Sequence, residues 1–176
     1  MRRNFTAASA NNLSDAGLKQ MILAYKAKGA NGAVIPDFKP RPGFLYTQVR
    51  AISARINQNY DAWPSPELKK SYRTFLGKPV FVNHNNFDPS RARGRVIAAR
   101  YVESGNDKYV EVIQEIDAQR FPKLASEIRS GGLDSVSMGV EAGFTICSYC
   151  NNKATDTHDM CDHVKYHKGE KLRRHN

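Results

Sequence analysis

Long apolar runs are missing from this sequence. Nothing approaches the ~20 consecutive apolar residues that a helix needs to cross a bilayer. The greasiest early segment, Met21-Ile22-Leu23-Ala24-Tyr25, is too short for the apolar core of a secretory signal. These absences predict a protein made and used in the cytoplasm, with no membrane partner. Cysteine is equally scarce: there are three, all between Cys147 and Cys161. An odd, clustered set is a poor disulfide framework and points instead to a metal cluster. Acidic residues are outnumbered, 17 against 27 Lys and Arg, which leaves a formal charge of +10. Such a surplus calls for polyanionic surroundings, either nucleic acid or an acidic protein, although a solvated basic face has the same composition. No internal repeat or low-complexity tract is present.

What remains is ordinary globular material. With 176 residues, 40% hydrophobic and 25% charged, the chain can build one domain with a real core and short appendages. Residues 1–14 hold few large apolar groups and read as a mobile arm. Ser14 caps a predicted helix whose apolar positions, Leu18, Met21, Ile22 and Tyr25, follow a 3.6-residue period and which ends at Gly29. Residues 30–43 hold three prolines and two glycines and read as a linker.

Phe44 to Ala54 is rich in β-formers and reads as the first strand. Ser65-Pro66-Glu67 opens a second helix with buried positions Leu68, Tyr72, Phe75 and Leu76, closed by Gly77. A short apolar strand from Pro79 leads to His84. Strands over Gly94–Val102 and Lys108–Ile116 flank Ser104-Gly105-Asn106-Asp107, a hairpin signal. A third helix spans Phe121 to Ser130, and a strand is predicted over Asp134–Phe144. Several antiparallel strands with a few helices make the fold class α+β, with a barrel-like β core decorated by helices. The domain boundaries read as an N-terminal arm, helix and linker over 1–43, a core over 44–146, a Cys/His segment over 147–167 and a basic tail over 168–176.

Alternation in the predicted strand puts Val136, Met138 and Val140 on one face and Ser135, Ser137 and Gly139 on the other. The small-residue face leaves room for an extended chain to lie against it. A hydroxyl becomes a nucleophile when a neighbouring base takes its proton, a task suited to histidine near neutral pH. Of five histidines, His158, His163, His167 and His175 fall in the last nineteen residues, and only His84 lies in the body of the fold. A serine between Val and Met is ordinarily just a small strand residue, and a histidine after a strand ordinarily bonds to loop backbone. Periodicity does not separate those readings from a catalytic pair.

The strings GKPVFVNHNN (Gly77 to Asn86), Gly94-Arg95-Val96, and SVSMG (Ser135 to Gly139) resemble the prohead protease family of tailed bacteriophages, relatives of herpesvirus assemblin. The resemblance covers about residues 44–165, and the interval from His84 to Ser137 is 53 positions. It implies an antiparallel β-barrel wrapped by helices, with Ser137 as nucleophile and His84 as base. It also implies that scaffold and major capsid proteins, and the protease itself, are the substrates inside the immature prohead in the host cytoplasm. Assemblin relatives pair as dimers, so a homodimer is expected. The third catalytic member stays open among His163, Asp88 and Glu141. Glu141 shares the serine's face, but four strand residues put it about 13 Å away.

Cys147-Ser148-Tyr149-Cys150 is a knuckle spacing that aims two sulfurs at one ion, and Cys161-Asp162-His163 follows after a polar loop. The set Cys147, Cys150, Cys161 and His163 predicts a structural zinc site. His158 and His167 are alternative fourth ligands, and three reduced cysteines without metal are the bland alternative. Cys161 and His163 could not both bind from one regular helix, where residues two apart face different ways. A histidine that binds zinc is also unavailable to orient a catalytic base. Two other classes compete with the peptidase. One is a zinc-containing nucleic-acid-binding protein, using Lys165, Lys168, Lys171, Arg173 and Arg174 with Tyr149 and Tyr166, or making non-specific DNA contact through its basic surface. The other is a non-catalytic capsid or scaffold component.

Overall fold

The computed structural model describes residues 11–27, 31–83 and 86–171. Along the chain come β1 (Asn11–Asn12), α1 (Asp15–Lys26), β2 (Gly32–Val34), β3 (Phe44–Ser53) and α2 (Ser65–Ser71). A 3-10 turn at Tyr72–Phe75 prolongs α2, and β4 (Pro79–Val80) and a second 3-10 turn at Pro89–Arg91 follow. Then come β5 (Gly94–Ser104), β6 (Asp107–Asp117), α3 (Pro122–Arg129), β7 (Thr145–Ile146), β8 (Lys153–Ala154) and α4 (Asp162–Lys165). The described residues divide into two compact units, one ending at 138 and one beginning at 139. The division differs from the boundaries drawn from sequence. Within residues 1–43, β1 and β2 are sheet strands and α1 packs on the sheet, while the later boundary falls at 138/139 instead of 146/147.

The larger unit is built on an antiparallel sheet in the order β1-β3-β6-β5-β2, with β4 also paired to β5. Among the described residues this sheet does not close into a barrel. The outer strands β1 and β2 are only two and three residues long, too short to form the ladder that would join the edges. Both faces of the sheet are covered instead. On one, Tyr46, Ile97, Ala98 and Ile113 pack against Leu18, Ile22 and Tyr25 of α1. On the other, Val49, Ala99, Tyr101, Val110 and Val112 meet Leu68 of α2 and Tyr72, while Leu45 and Ile116 meet Ala125 of α3.

Local chemistry explains the boundaries. The Ser14 hydroxyl accepts from the Gly17 amide at 3.2 Å and starts α1, which stops at Lys26, where Ala27 turns to ψ 140°. The predicted stop at Gly29 lies outside the described residues. Ser104 pairs with Asp107 across Gly105-Asn106, and Gly105 takes φ +56°, which a type II′ hairpin asks of its first central residue. A β-carbon at Gly94 would collide with the Glu115 carbonyl oxygen, so only glycine fits there. The predicted strand over 134–144 is irregular backbone up to Phe144. Val136 and Met138 do pack on the core and Ser135, Ser137 and Gly139 are exposed. Val140, expected on the face of Val136 and Met138, is exposed, so the alternation holds only as far as Met138, and it does not report whether the backbone finds a ladder partner.

Two carboxylates face the α1 side of β6. Glu111 accepts from the Tyr25 hydroxyl at 2.9 Å and from Arg100 at 2.6 Å. Glu115, 1% exposed, takes a bidentate pair from Arg41 (2.6 and 3.3 Å), with Tyr46 at 2.9 Å and Arg95 at 3.2 Å. Burial alone would raise the Glu115 pKa, but the hydrogen bonds from Arg41, Tyr46 and Arg95 hold it below the usual carboxylate range. Burial and the neighbouring carboxylate together push the Tyr46 phenol up to about 12.

Glu115→Gln should lower the unfolding free energy by about 2 kcal/mol, short of the fully buried case because Arg41 and Arg95 are half exposed and can be rehydrated. A depressed carboxylate stabilises the fold above the ordinary glutamate value of ~4.3 and loses that contribution as pH falls through its folded value. Urea titrations should therefore show the gap between wild type and Glu115→Gln closing as pH drops below about 4.

Candidate metal centre and the Ser137 segment

The smaller unit is organised around its cysteines. β7 and β8 form a two-stranded hairpin, Thr145 pairing with Ala154 and Ile146 with Lys153. At its tip the Cys147 amide donates to the Asn152 carbonyl and the Asn151 amide to the Cys147 carbonyl, both at 2.9 Å, while Asn151 takes φ +58°. This tight turn brings Cys147 and Cys150 to one side. Cys161 precedes α4 in extended conformation (φ −70°, ψ 165°), and His163 sits in the first turn of that helix. Because Cys161 is the cap and not a helical residue, the geometric objection to its binding together with His163 does not arise.

The ligand atoms of Cys147, Cys150, Cys161 and His163 all lie within 4.8 Å of one another, and Cys150 Sγ is 3.5 Å from Cys161 Sγ. Tetrahedral zinc with thiolates at ~2.3 Å would set sulfurs roughly 3.7 Å apart, so the cluster has the dimensions of a metal-binding tetrahedron. His163 Nδ1 is buried and lacks a hydrogen-bond partner among the described residues. A buried imidazole nitrogen in that state is costly unless something binds it. The Tyr149 ring lies against the His163 ring at 4.5 Å and holds its orientation. Neither alternative fourth ligand joins the cluster: His167 Nδ1 is 3.0 Å from Glu170, and His158 is exposed on the loop whose amides bond Asp156.

Thiol ionisation follows the same geometry. Burial pushes the Cys147 pKa up, but the amides of Cys150 and Tyr149, the latter 3.4 Å from its Sγ, outweigh burial and hold it low. The Asn152 amide pulls the Cys150 pKa down, but desolvation and the neighbouring thiols of Cys161 and Cys147 raise it. The Cys147 thiolate is thus favoured before any metal arrives, whereas Cys150 needs the ion's charge. These residues can hold a metal ion such as zinc.

Comparison with protein-family models, with curated proteins and with solved structures finds no match.

The predicted catalytic residues are distributed differently. Ser137 is exposed, on a segment anchored through Val136 and Met138, and belongs to the larger unit. His84 lies outside the described residues, as do Arg173, Arg174 and His175 of the basic tail. Asp88 caps the turn Pro89–Arg91: its Oδ1 accepts from the Ser90 amide at 2.9 Å and hydroxyl at 2.6 Å, and Arg91 approaches Oδ2 at 3.4 Å. Those Ser90 bonds hold its pKa low. Glu141 is exposed in the smaller unit, where His163 belongs to the metal cluster. Sequence reasoning missed the buried carboxylates Glu111 and Glu115. The signal was available: both share a strand face with Ile113, and Arg100 and Arg95 stand opposite them in register.

The chain should bind one Zn²⁺ or Co²⁺, cobalt giving the thiolate charge-transfer band of a sulfur-rich tetrahedral site. Cys161→Ser and His163→Ala should each weaken binding by at least about tenfold, whereas His158→Ala should leave it unchanged. Chelation should speed hydrogen exchange over residues 139–171 and spare β3, β5 and β6.

Proposed function

We propose that this chain is a serine endopeptidase of the prohead-maturation type. Ser137 would be its nucleophile and His84 its general base, with a structural zinc in the Cys147, Cys150, Cys161 and His163 cluster. The observation that carries the reading is a shared anchorage. Val80, four residues before His84, packs on the same core cluster as Val136 and Met138, the neighbours of Ser137. Both motif segments are thus rooted on one core cluster of the larger unit. The resemblance of motif order and spacing supplies the rest.

In this reading the Ser137 hydroxyl attacks the scissile carbonyl. His84 takes the hydroxyl proton and delivers it to the leaving amine, and backbone amides stabilise the oxyanion. The substrates would be scaffold and capsid proteins, cleaved within the immature prohead. The zinc has no catalytic part, because a site of three sulfurs and one nitrogen leaves no open position for water. It ties β7, β8 and α4 into one body.

The test is co-expression with the neighbouring scaffold and capsid proteins. Wild type should yield discrete fragments, and Ser137→Ala and His84→Ala should each reduce cleavage by about a thousandfold or more while keeping the wild-type unfolding midpoint. Fragments that persist in both variants would refute the assignment.

A further inference from the structure

We infer that the corner where β5 begins and β6 ends is a docking surface for an acidic stretch of polypeptide. The inference deepens the protease reading by naming the class of chain that is recruited, and it rests on that reading only for the link to cleavage. Three segments meet at this corner through main-chain bonds. The Asp117 amide donates to the Arg93 carbonyl at 2.9 Å, and the Ala118 and Gln119 amides donate to the Gly43 carbonyl at 3.1 Å. They bring together Arg41, Arg93, Arg95 and Arg120.

The guanidinium groups are held in place by aromatic rings. Arg41 lies 3.7 Å from the centroid of Phe44, and Arg93 and Arg120 flank Phe121 at 4.3 and 5.2 Å. Cations stacked in this way lose little further freedom when they bind. The carboxylates facing them do not balance their charge. Glu115 is shared by Arg41 and Arg95, which remain 49% and 46% exposed. Asp117 accepts the Arg120 backbone amide, and Arg93 and Arg120 make no ion pair among the described residues. Four cations therefore face two carboxylates, with guanidinium edges open to solvent.

The chemistry favours carboxylates over nucleic acid. Single-stranded nucleic acid stacks its bases on open aromatic faces. Here the faces of Phe44 and Phe121 are occupied by arginines. The exposed forks suit bidentate pairing with Asp and Glu side chains. The location also fits recruitment. The Arg93 amide bonds the Val80 carbonyl at 2.8 Å, so a chain docked here adjoins β4, which leads to His84.

The test uses full-length protein carrying Ser137→Ala, so that binding is read apart from cleavage. Fluorescence anisotropy would follow a labelled Glu/Asp-rich peptide, its Gln/Asn counterpart and a single-stranded oligonucleotide. The acidic peptide should bind, weaken with salt, and lose about tenfold or more in affinity in Arg93→Glu/Arg120→Glu. Lys19→Glu/Lys26→Glu, an equal charge change on α1, should leave affinity within about twofold, because the effect is local. Circular dichroism of each variant would verify folding, and Arg93→Gln/Arg120→Gln gives a milder second reading. Equal binding of the neutral peptide, binding of the oligonucleotide alone, or equal losses in both double variants would overturn the inference. Loss confined to the corner variants would sustain it even if no fragments are ever seen, which would count against the peptidase alone.

Discussion

The carboxylate of Glu115, sealed beneath Arg41, Arg95 and Tyr46, is the interaction on which the larger unit turns. Central strand β6 is covered on both faces, so an acidic side chain there has no water to solvate it. An unpaired buried carboxylate would protonate or unfold its surroundings. Four hydrogen bonds from three residues keep it ionised, and they come from three parts of the chain: the loop before β3, β3 itself and β5. The pair therefore fixes register between distant segments as well as offsetting a desolvation cost. Glu111 repeats the device four residues earlier on the same strand face, with Tyr25 from α1 and Arg100 from β5. Hydrophobic packing of α1 could tolerate some sliding along the sheet. A phenol hydrogen-bonded to a buried carboxylate cannot.

Much of this was legible from residues alone. The hairpin at Gly105-Asn106, the cap at Ser14 and the metal cluster are local signals that local chemistry decides, whereas Ser65, expected as a cap, is the first residue of α2, whose cap is Pro64. The closed barrel was not obtained, because closure depends on whether edge strands are long enough to pair, and β1 and β2 are too short. The strand over 134–144 was a different kind of error. Val136 and Met138 point inward as the alternation said, but a ladder also needs a partner strand at the right height, and that is a non-local fact. The buried glutamates were overlooked for the opposite reason: acidic residues in a strand are ordinarily taken for its solvent face.

Charge is not spread evenly between the two units. Residues 139–176 carry six Lys and Arg against five acidic residues, so nearly all the surplus of this strongly basic chain resides elsewhere. That weakens the case for the metal-bearing segment as a nucleic-acid module, since an electrostatic footprint on phosphates needs clustered cations around the metal. A sulfur-rich cluster in a nearly neutral unit is better suited to holding β7, β8 and α4 in a single arrangement.

The arginines of the larger unit connect stability to recognition. Arg41 and Arg95 are placed by the need to neutralise Glu115, yet each satisfies the carboxylate with only part of its donor fork. The remaining donors face outward beside Arg93 and Arg120, which no carboxylate claims among the described residues. A structural requirement of the buried strand thus produces a rigid cationic corner. Because its geometry is fixed from within, a partner that docks there meets cations already in place. The ordering cost that flexible surface lysines would impose on binding is largely avoided.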